Sequence, residues 1–338
     1  MYFSILIRIF YILFLFACSH ASAQNGRGDE VFQFLRLPLS PQLAALGDYN
    51  ISNISPDPGL SSLNPSLLRK EMDGKASLVF RSGVAGLKNL NLLYAGHSSR
   101  MNTNFNFSVQ YFNYGSTNET DFAGNITGIF HPVDYAIQAG FSRQYEKRWF
   151  YGAGLKFIYS NYSIYKSSGL AIDAGINYYD STSGFQAGLL FKNMGFQLKA
   201  YAGSDKSILP FDLIIGLSKK FKNAPVQFSV TGHSLHNFSL LKEYHIANNE
   251  ENTIEEILSH IVWAVQLYAG KYIEVSAGYN HLGRIEQGVI PYNKGFTGIS
   301  FGVGVLLPRL QLRYSTGAYQ PGSTRHYFGI GVNLKEML

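Results

Sequence analysis

Histidine is the residue type in this chain best suited to metal binding or acid–base chemistry, but the histidines do not converge. His233 and His236 form the tightest pair, and the others after residue 24 are dispersed at positions 97, 131, 245, 260, 281 and 326. A metal site needs convergent ligands, whereas residues three apart on a strand direct their side chains to opposite faces. The sequence therefore predicts no metal site.

A serine–histidine pair is the nearest approach to a catalytic arrangement. His233 lies close in sequence to Ser229 and Ser234, a pairing that could attack lipid esters. Neither an oxyanion hole nor a third partner accompanies it, so a histidine at the membrane interface is the better interpretation. Asp134 and Asp173 fall on polar strand faces and should line a lumen. We predict no catalytic residue and no enzyme activity.

Closely spaced glycines occur within apolar segments and not in a phosphate-binding loop. Gly152 and Gly154 flank one alanine, and Gly302 and Gly304 flank one valine. Glycine inside a strand marks a bend or the close approach of another backbone. These glycines should relieve curvature or make room for a plug, and no cofactor site is expected.

Short segments of alternating polarity must position these side chains. In residues 104–111, Phe, Val and Tyr alternate with Asn, Ser and Gln, and residues 134–142 and 170–178 repeat the pattern. Because strand side chains alternate between two faces, each segment has an apolar side and a polar side. The predicted fold is all-β: a transmembrane, antiparallel, up-and-down β-barrel of about 14 strands with an N-terminal plug-like segment.

The connections between the predicted strands alternate between short and long. In outer-membrane barrels the short turns are periplasmic and the long loops extracellular. The tight connections at 222–225, 269–270 and 307–309 should therefore be periplasmic, and 193–210, 236–260, 282–295 and 318–324 extracellular. The predicted strands are 75–82, 89–97, 103–113, 134–144, 149–160, 168–179, 184–192, 211–221, 225–235, 261–268, 271–281, 296–306, 309–317 and 325–334.

Residues 120–130 are a further strand candidate that the even strand number of bacterial barrels argues against. Counting back from the tight turns places the connection before residue 134 outside the cell. The polar residues of this region also suit solvent better than lipid. We predict that 114–132 is an extracellular β excursion continuing the flanking strands.

The N-terminus predicts export. Residues 1–23 contain Arg8, an apolar run and the small-residue cleavage site Ala21-Ser22-Ala23, as in a secretory signal peptide, with Gln24 as the first mature residue. A retained membrane helix is the alternative, but the run is short of the roughly 20 residues that a span needs. The one cysteine, Cys18, lies in a stretch resembling a lipoprotein box, so lipidation there is a second alternative.

Composition narrows the class of protein. The formal net charge is +6, but Lys and Arg are scattered, which argues against nucleic-acid binding and suits anionic lipid headgroups. Charged and aromatic residues each make up 15%, which favours a lipid-facing sheet with aromatic girdles. A soluble β-sandwich is the competing class, but no linker divides the chain as such domains would require. We expect outer-membrane lipid as a partner and the outer membrane as the location.

Residues 24–72 lack the alternation and are predicted to form a plug or hatch, ahead of a barrel over 73–338. In the stretch Asn64-Pro65-Ser66-Leu67-Leu68, proline suits the first turn of a short helix and Asn64 its N-cap. We expect the segment to enter the lumen from the periplasm. The predicted plug motif is Ala44, Ala45, Leu46, Gly47, Asp57, Asn64 and Pro65.

The longest outer loop, 236–260, carries an acidic run. Thr253 can cap a short helix with acidic residues in its first turn and an apolar stripe. Such a helix could dock a partner or only cap the barrel mouth. The residues assigned to this partner-docking loop are Glu250, Glu251, Ile254, Glu255, Glu256, Ile257 and Leu258.

The plug motif resembles that of FadL-like outer-membrane barrels, in which an equivalent stretch folds into a luminal plug. This chain has Ser66-Leu67 where those barrels have Ala-Gly, so the hatch could be built differently. The resemblance implies an importer of hydrophobic small molecules, which is the alternative function.

The chain is also similar, over nearly all of its mature length, to the PorQ family of the type IX secretion system of Bacteroidetes. That resemblance implies a non-enzymatic barrel that anchors a cell-surface attachment complex through its extracellular loops. The implied partners are a PorZ-like surface protein, a PorU-like sortase and a PorV-like barrel, which together remove sorting domains from cargo and join the cargo to anionic lipopolysaccharide. The supporting stretches are 34–38, 110–115, 119–134, 156–160, 188–195, 209–211, 216–220 and 277–281.

Overall fold

A computed structural model describes residues 30–82, 87–241, 253–286, 296–320 and 323–337. Within these residues, fourteen antiparallel strands form a closed barrel, and a two-stranded sheet lies apart from it. The predicted fold class and strand number are therefore confirmed. The predicted signal peptide with Cys18 and Gln24, and the loop residues Glu250 and Glu251, lie outside the described residues.

Each barrel strand pairs with the barrel strands that come before and after it in the chain. The first and last strands pair with each other and close the barrel. The strands are β1 Lys75–Ser82, β2 Lys88–Ser98, β3 Thr103–Asn113, β4 Thr117–Thr120, β5 Ile126–Phe130, β6 Val133–Tyr145, β7 Trp149–Tyr162, β8 Tyr165–Asp180, β9 Phe185–Lys199, β10 Asp212–Lys220, β11 Val226–Gly232, β12 Ile261–Ala269, β13 Ile273–Asn280, β14 Ile299–Leu306, β15 Leu310–Gln320 and β16 Ser323–Asn333.

The two faces of the barrel wall have opposite polarity. In β3, Phe107 and Tyr111 are exposed on the outside, whereas Asn106 and Gln110 are buried on the inside. A soluble protein would bury the aromatic face and expose the amides. The reversed arrangement is that of a barrel whose outer face contacts lipid.

Nearly all the short connections lie at one end of the barrel and the long ones at the other, so the short-turn end is assigned to the periplasm. The turns at 99–102, 146–148, 181–184, 221–225, 270–272 and 307–309 lie at that end. At the opposite end, β9 reaches Lys199, so the loop predicted from residue 193 is shorter than expected. The opposite connections also include 114–132, 163–164, 200–211 and the described parts of 233–260 and 281–298.

The two-stranded sheet of β4 and β5 continues the β3–β6 hairpin beyond the barrel. Barrel pairing ends at Asn113 and Val133, and β4 pairs with β5 from Thr117 and Phe130 onward. The tip is a turn in which Asp121 accepts hydrogen bonds from backbone N–H groups. Residues 114–132 therefore do not cross the membrane, as predicted.

The N-terminal segment lies inside the barrel as a chain of short helices. Helices α1 (Pro41–Ala45) and α2 (Pro58–Leu63) are joined by irregular backbone, and 3₁₀ turns occur at 33–36, 65–67 and 70–72. Asn64 caps the middle turn by accepting from Ser66 N at 3.1 Å, as predicted. Leucines of the segment pack against inward-facing wall residues, so the apolar core lies between plug and wall.

The segment runs the length of the lumen. Its first described residue, Glu30, pairs with Ile208 in a long-loop connection, whereas Gly74 N bonds to Ala95 O at the short-turn end. The expectation that the plug enters from the periplasm is wrong for its first described residues, because Glu30 lies at the extracellular mouth. The segment then runs through the lumen to the periplasmic end, where β1 begins. The even strand count still follows because β1 begins at the periplasmic end.

Two further helices shape the extracellular end, α3 (Thr253–Ser259) and α4 (His281–Glu286), and a 3₁₀ turn follows β16 at 334–336. Among the described residues, no helix is both long enough and apolar enough to cross a membrane.

The excursion at 114–132 predicts a labelling pattern on intact cells. A Glu119→Cys variant should react with an impermeant maleimide because β4 is exposed at the extracellular end. An Asn223→Cys variant, in a short periplasmic turn, is the matched control and should react only after the outer membrane is permeabilised. Protection of position 119 with labelling of position 223 would invert the assigned orientation.

The path of the plug predicts a second accessible site. Gln33 is exposed at the extracellular mouth although it precedes Lys75, the periplasmic start of β1, by 42 residues. A Gln33→Cys variant should therefore be labelled on intact cells at a rate close to that of Glu119→Cys. Labelling only after permeabilisation would show that the plug begins at the periplasmic end.

Candidate functional site: the plugged lumen and its extracellular mouth

Glycines on the inner wall allow the plug backbone to touch the barrel. A Cβ added at Gly152 would lie 2.5 Å from the carbonyl carbon of Pro65, and one at Gly188 would lie 2.6 Å from Ile51 O. Real Cβ atoms do not approach other atoms this closely, so neither position tolerates a side chain unless the plug moves. The wall and the plug are therefore in van der Waals contact through their main chains.

The glycine pairs noted in the sequence differ in whether they contact the plug. Gly154 would meet Pro65 and Gly302 would meet the Ala45 side chain, so both make room for the plug. Gly304 instead faces Arg313 of the neighbouring strand and makes no room for the plug, so strand curvature is the alternative left for that residue.

The residues of the predicted plug motif all lie in the lumen. Ala44 and Ala45 belong to α1, whose C-terminal end presses against the wall: Ser300 Oγ donates to Ala45 O at 3.0 Å. Leu46 is fully buried, and Gly47 follows with φ +82°. Asn280 Nδ2 donates to Gly47 O at 3.1 Å.

Asp57 and Asn64 hold the second half of the plug. The Asp57 carboxylate accepts from Gly59 N at 3.0 Å and caps α2. Asn64 Nδ2 donates to Ile51 O at 2.8 Å and ties two plug segments together. Pro65 then brings the plug backbone against the wall at Gly152. These motif residues shape the plug and carry no reactive group exposed to a substrate.

Amide side chains join the plug to the periplasmic half of the barrel wall. Gln42 Nε2 donates to Glu274 Oε1 at 2.9 Å. Asn53 Nδ2 donates to Gln266 Oε1 at 2.7 Å, and Gln227 Nε2 donates back to Asn53 Oδ1 at 2.7 Å. Buried polar groups are costly unless they are paired, so these bonds fix the register of the plug in the barrel.

A buried ion pair lies in the wall at mid-lumen. Lys156 Nζ and Asp173 Oδ2 are 2.6 Å apart, and Asn193 N donates to the other oxygen of Asp173 at 2.8 Å. Asn193 has φ 56° and sits where the β8–β9 register shifts near Ile172 and Ala174. This bulge turns two successive β9 residues, Lys192 and Asn193, toward the lumen.

The first plug residues complete this charged cluster. Arg36 forms an ion pair with Glu30 at 2.7 Å and lies 3.9 Å from Asp212 of the wall. Lys192 Nζ donates to Leu35 O at 3.1 Å. Together with Lys156 and Asp173, the cluster contains three cations and three carboxylates, so it is formally neutral. Neutrality permits burial of charges that would each be costly alone.

Arg69 anchors the periplasmic end of the plug. Its guanidinium lies 3.4 Å from the centroid of the Phe150 ring and donates to Leu68 O and to Asn177 of β8. A cation on an aromatic face in a desolvated site is stabilising.

Asp134 and Asp173, which were expected to line the lumen, are both buried there. Asp134 Oδ2 accepts hydrogen bonds from the hydroxyls of Tyr114 at 2.6 Å and Tyr162 at 2.7 Å. These two bonds join β6 to the start of the excursion and to the end of β7. Neither carboxylate has the arrangement of a catalytic acid or base.

The histidines occupy a different place from the one predicted. β11 ends at Gly232, so His233 and His236 lie in the loop beyond it and not on a strand. The His233 ring is buried and stacks on Tyr49 of the plug, with centroids 4.2 Å apart. The expectation of a membrane-interface histidine is therefore wrong, because this ring joins the plug to an extracellular loop. Ser229 Oγ bonds to Ser218 instead of to His233.

Helix α3 forms as predicted. Its acidic side faces the protein and its apolar side is exposed, the reverse of an amphipathic helix on a soluble protein. Glu256 accepts from Leu240 N at 2.6 Å and lies 3.8 Å from His260 Nε2. The glutamates thus face the barrel mouth. Ile254 is 70% exposed and Ile257 is 56% exposed.

Cavities border the plug at both ends of the lumen. One of about 160 Å³ lies at the extracellular mouth between Arg36, Asp48 and Tyr327. Another of about 550 Å³ opens at the periplasmic end between Arg69, Lys147 and Tyr179. In the described part of the chain, no group of three or more His, Cys, Asp or Glu side chains could hold a metal ion.

Comparisons identify the fold. No family model matches the sequence, and no curated protein matches it. The structure is similar to the deltaS2 mutant of the TodX monoaromatic hydrocarbon channel, with a TM-score of 0.50 and 11% identity over 88% of this chain and 97% of that one. The TodX deltaS2S3 mutant gives 0.51 and 11% over 87% and 98%. The CymD monoaromatic hydrocarbon channel gives 0.48 and 11% over 88% and 97%. The chain has the fold of an outer-membrane channel barrel.

The glycine contacts predict the effect of one added methyl group. Gly152→Ala should displace the plug and lower the free energy of unfolding by about 1–3 kcal/mol, as overpacking does. Gly317→Ala is the control, because its nearest new contact would be an ordinary 3.5 Å. Urea titration in detergent micelles, followed by tryptophan fluorescence, measures both. Equal stability of the two variants would mean that the plug does not press on the wall.

Proposed function

We propose that this chain is a non-enzymatic outer-membrane barrel that anchors a cell-surface complex, as PorQ-like barrels do in the type IX secretion system. The observation that carries the proposal is the plug. Its backbone touches wall glycines at Gly152 and Gly188, and its side chains bond to wall residues along the lumen. A lumen filled in this way suits a rigid support better than a path for solutes.

The extracellular mouth supplies the surface for a partner. Helix α3 is held by its glutamates, and Ile254, Ile257 and Leu258 remain exposed beside Phe238, which is 71% exposed. Exposed apolar side chains grouped at one place mark an interaction surface more often than they persist without function. We assign this surface to a PorZ-like surface protein, with a PorU-like sortase and a PorV-like barrel in the same complex.

The apolar outer face of the barrel and the predicted signal peptide support a location in the outer membrane. Apolar side chains such as Leu92, Ile137 and Phe228 are exposed on the outside of the wall, where lipid would cover them. The signal peptide predicted over residues 1–23 would supply export across the inner membrane.

Deletion and co-purification test the proposal. Deleting the gene should leave secreted cargo unattached at the cell surface, and crosslinked cells should yield the barrel together with a surface protein and a sortase. Intact cargo attachment in the deletion strain, with no secretion partner recovered, would contradict it.

The exposed face of α3 predicts which substitutions break the complex. Replacing Ile254 and Ile257 with Asp should reduce the recovered surface partner at least about tenfold, because interface centres exclude unpaired charges. Ile129→Asp is the control, since Ile129 is 64% exposed on β5 and lies away from α3. Full recovery with the double variant would remove α3 from the docking surface.

Import of a hydrophobic small molecule is the second candidate. The extracellular cavity of about 160 Å³ favours it, because Leu37, Leu282 and Ile299 supply apolar lining between plug and wall. TodX is a hydrocarbon channel with a similar fold. Purified barrel that contains a bound hydrophobic molecule, together with lost uptake and normal secretion in the deletion strain, would establish this function over the anchor.

A further inference from the structure

The outer wall has a hollow at its periplasmic end that the anchor proposal does not use. Its volume is about 540 Å³, and it lies between the 99–102 turn, β6 and β7. Phe141 and Tyr151 are 54% and 48% exposed on its rim. Its lining includes Arg100, Met101, Phe141, Arg143, Tyr151 and Ala153.

Small residues form the floor of the hollow. Ala153 pairs across strands with Phe141 on one side and with Ala174 on the other. The two alanine side chains are short, whereas the neighbouring outward residues, Tyr151 and Leu155, are long. The outer surface is therefore low over Ala153 and Ala174, between the longer side chains of Tyr151 and Leu155, and this low strip on the lipid-facing side forms a shallow trough.

Two guanidinium groups lie at the periplasmic edge of the trough. Arg143 is on the outward face of β6, and its Nη2 donates to Met101 O at 2.8 Å. That bond holds Arg143 beside the turn that carries Arg100. No carboxylate lines the hollow among the described residues, so the two positive charges are not neutralised there.

The position of these charges relative to the bilayer defines the ligand. Tyr145 and Trp149, at the periplasmic ends of β6 and β7, are outward-facing and exposed, as residues of an aromatic girdle are. The backbone of Arg143 is one pleat repeat closer to the bilayer centre than Tyr145, but its guanidinium reaches back to Met101 O in the periplasmic turn, which brings the charge to the depth of the lipid headgroups. Arginine recognises phosphate through paired N–H donors and is favoured near anionic lipids.

We propose that this hollow binds a glycerophospholipid of the periplasmic leaflet. The phosphate lies between Arg100 and Arg143, and one acyl chain follows the trough over Ala153 between Phe141 and Tyr151. The site is independent of the plug and of the extracellular surface, so it stands whether the barrel is an anchor or an importer.

Native mass spectrometry of the full-length mature barrel tests the site. Barrel saturated with dioleoylphosphatidylglycerol and washed in detergent should retain one lipid, and a variant carrying Arg100→Gln and Arg143→Gln should retain about tenfold less. Lys219→Gln is the control, because Lys219 is also at the periplasmic end but pairs with Phe185 and Phe228 away from the hollow. This control should retain lipid as the parent does.

Two further arms separate a lipid site from a simple anion site. Ala153→Trp keeps both arginines and fills the trough, so it should also lose the lipid, while heat-modifiable migration shows that the barrel is folded. Excess inorganic phosphate should not displace the lipid, since it lacks the acyl contacts. Retention by the double arginine variant, equal loss in Lys219→Gln, retention by Ala153→Trp, or displacement by phosphate would each overturn the proposal.

Discussion

Contact between the plug main chain and the main chain of the barrel is the constraint on which the rest of this structure depends. At Gly152 and Gly188 the wall has no side chain, and the plug occupies the space that a Cβ would need. Side chains at these positions would occupy the space that the folded N-terminal segment fills. The absence of inner side chains at these positions therefore lets the plug backbone lie against the wall.

Because the plug fills the lumen, the polar side chains inside the barrel must be paired with protein groups. Inward-facing side chains of an open barrel are hydrated, but here Gln266, Glu274 and Asp212 are buried and must find partners in the plug or the wall. Gln42 bonds to Glu274, and Asn53 to Gln266. Removing one partner of such a pair leaves the other buried and unsatisfied, which is costly. The same bonds that permit burial thus resist displacement of the plug, and this favours a support over a gate.

The extracellular end combines this rigid base with an exposed apolar surface. His233 stacks on Tyr49, so the loop that leads to α3 is fastened to the plug as well as to the wall. Glu256 then fastens α3 to the same loop through Leu240 N. Because the loop is held to the plug and α3 is held to the loop, the exposed surface loses little conformational freedom when a partner binds. This strengthens association.

Much of the barrel could be predicted from the sequence, because a strand that separates lipid from a polar lumen must alternate with period two. The strand count and the excursion at 114–132 followed from this pattern and from parity. The cap at Asn64 followed from local chemistry. Lys156, Lys192 and Asp212 stand on the polar faces of strands and could have been placed in the lumen by the same rule.

Other features depend on pairing between distant segments, which one sequence does not reveal. The bulge at Asn193 shifts the register of β9, and nothing in the local sequence marks its position. The end of β11 before His233 and the start of the plug at the extracellular mouth are likewise decided by tertiary contacts. The glycines were noted as room for a plug, but only the structure shows which of them the plug reaches.

Locking the plug to the wall tests the central claim most directly. Ser52 Oγ and Ser218 Oγ are 2.7 Å apart, so a Ser52→Cys and Ser218→Cys pair has a separation suited to a disulfide in the oxidising periplasm. The measurement is the amount of cargo attached at the surface of cells that carry the oxidised variant, with each single variant as control. We predict attachment equal to that of the parent, because the plug does not move in an anchor. Loss of attachment that a reductant restores would contradict this account and show that the barrel works by displacing its plug.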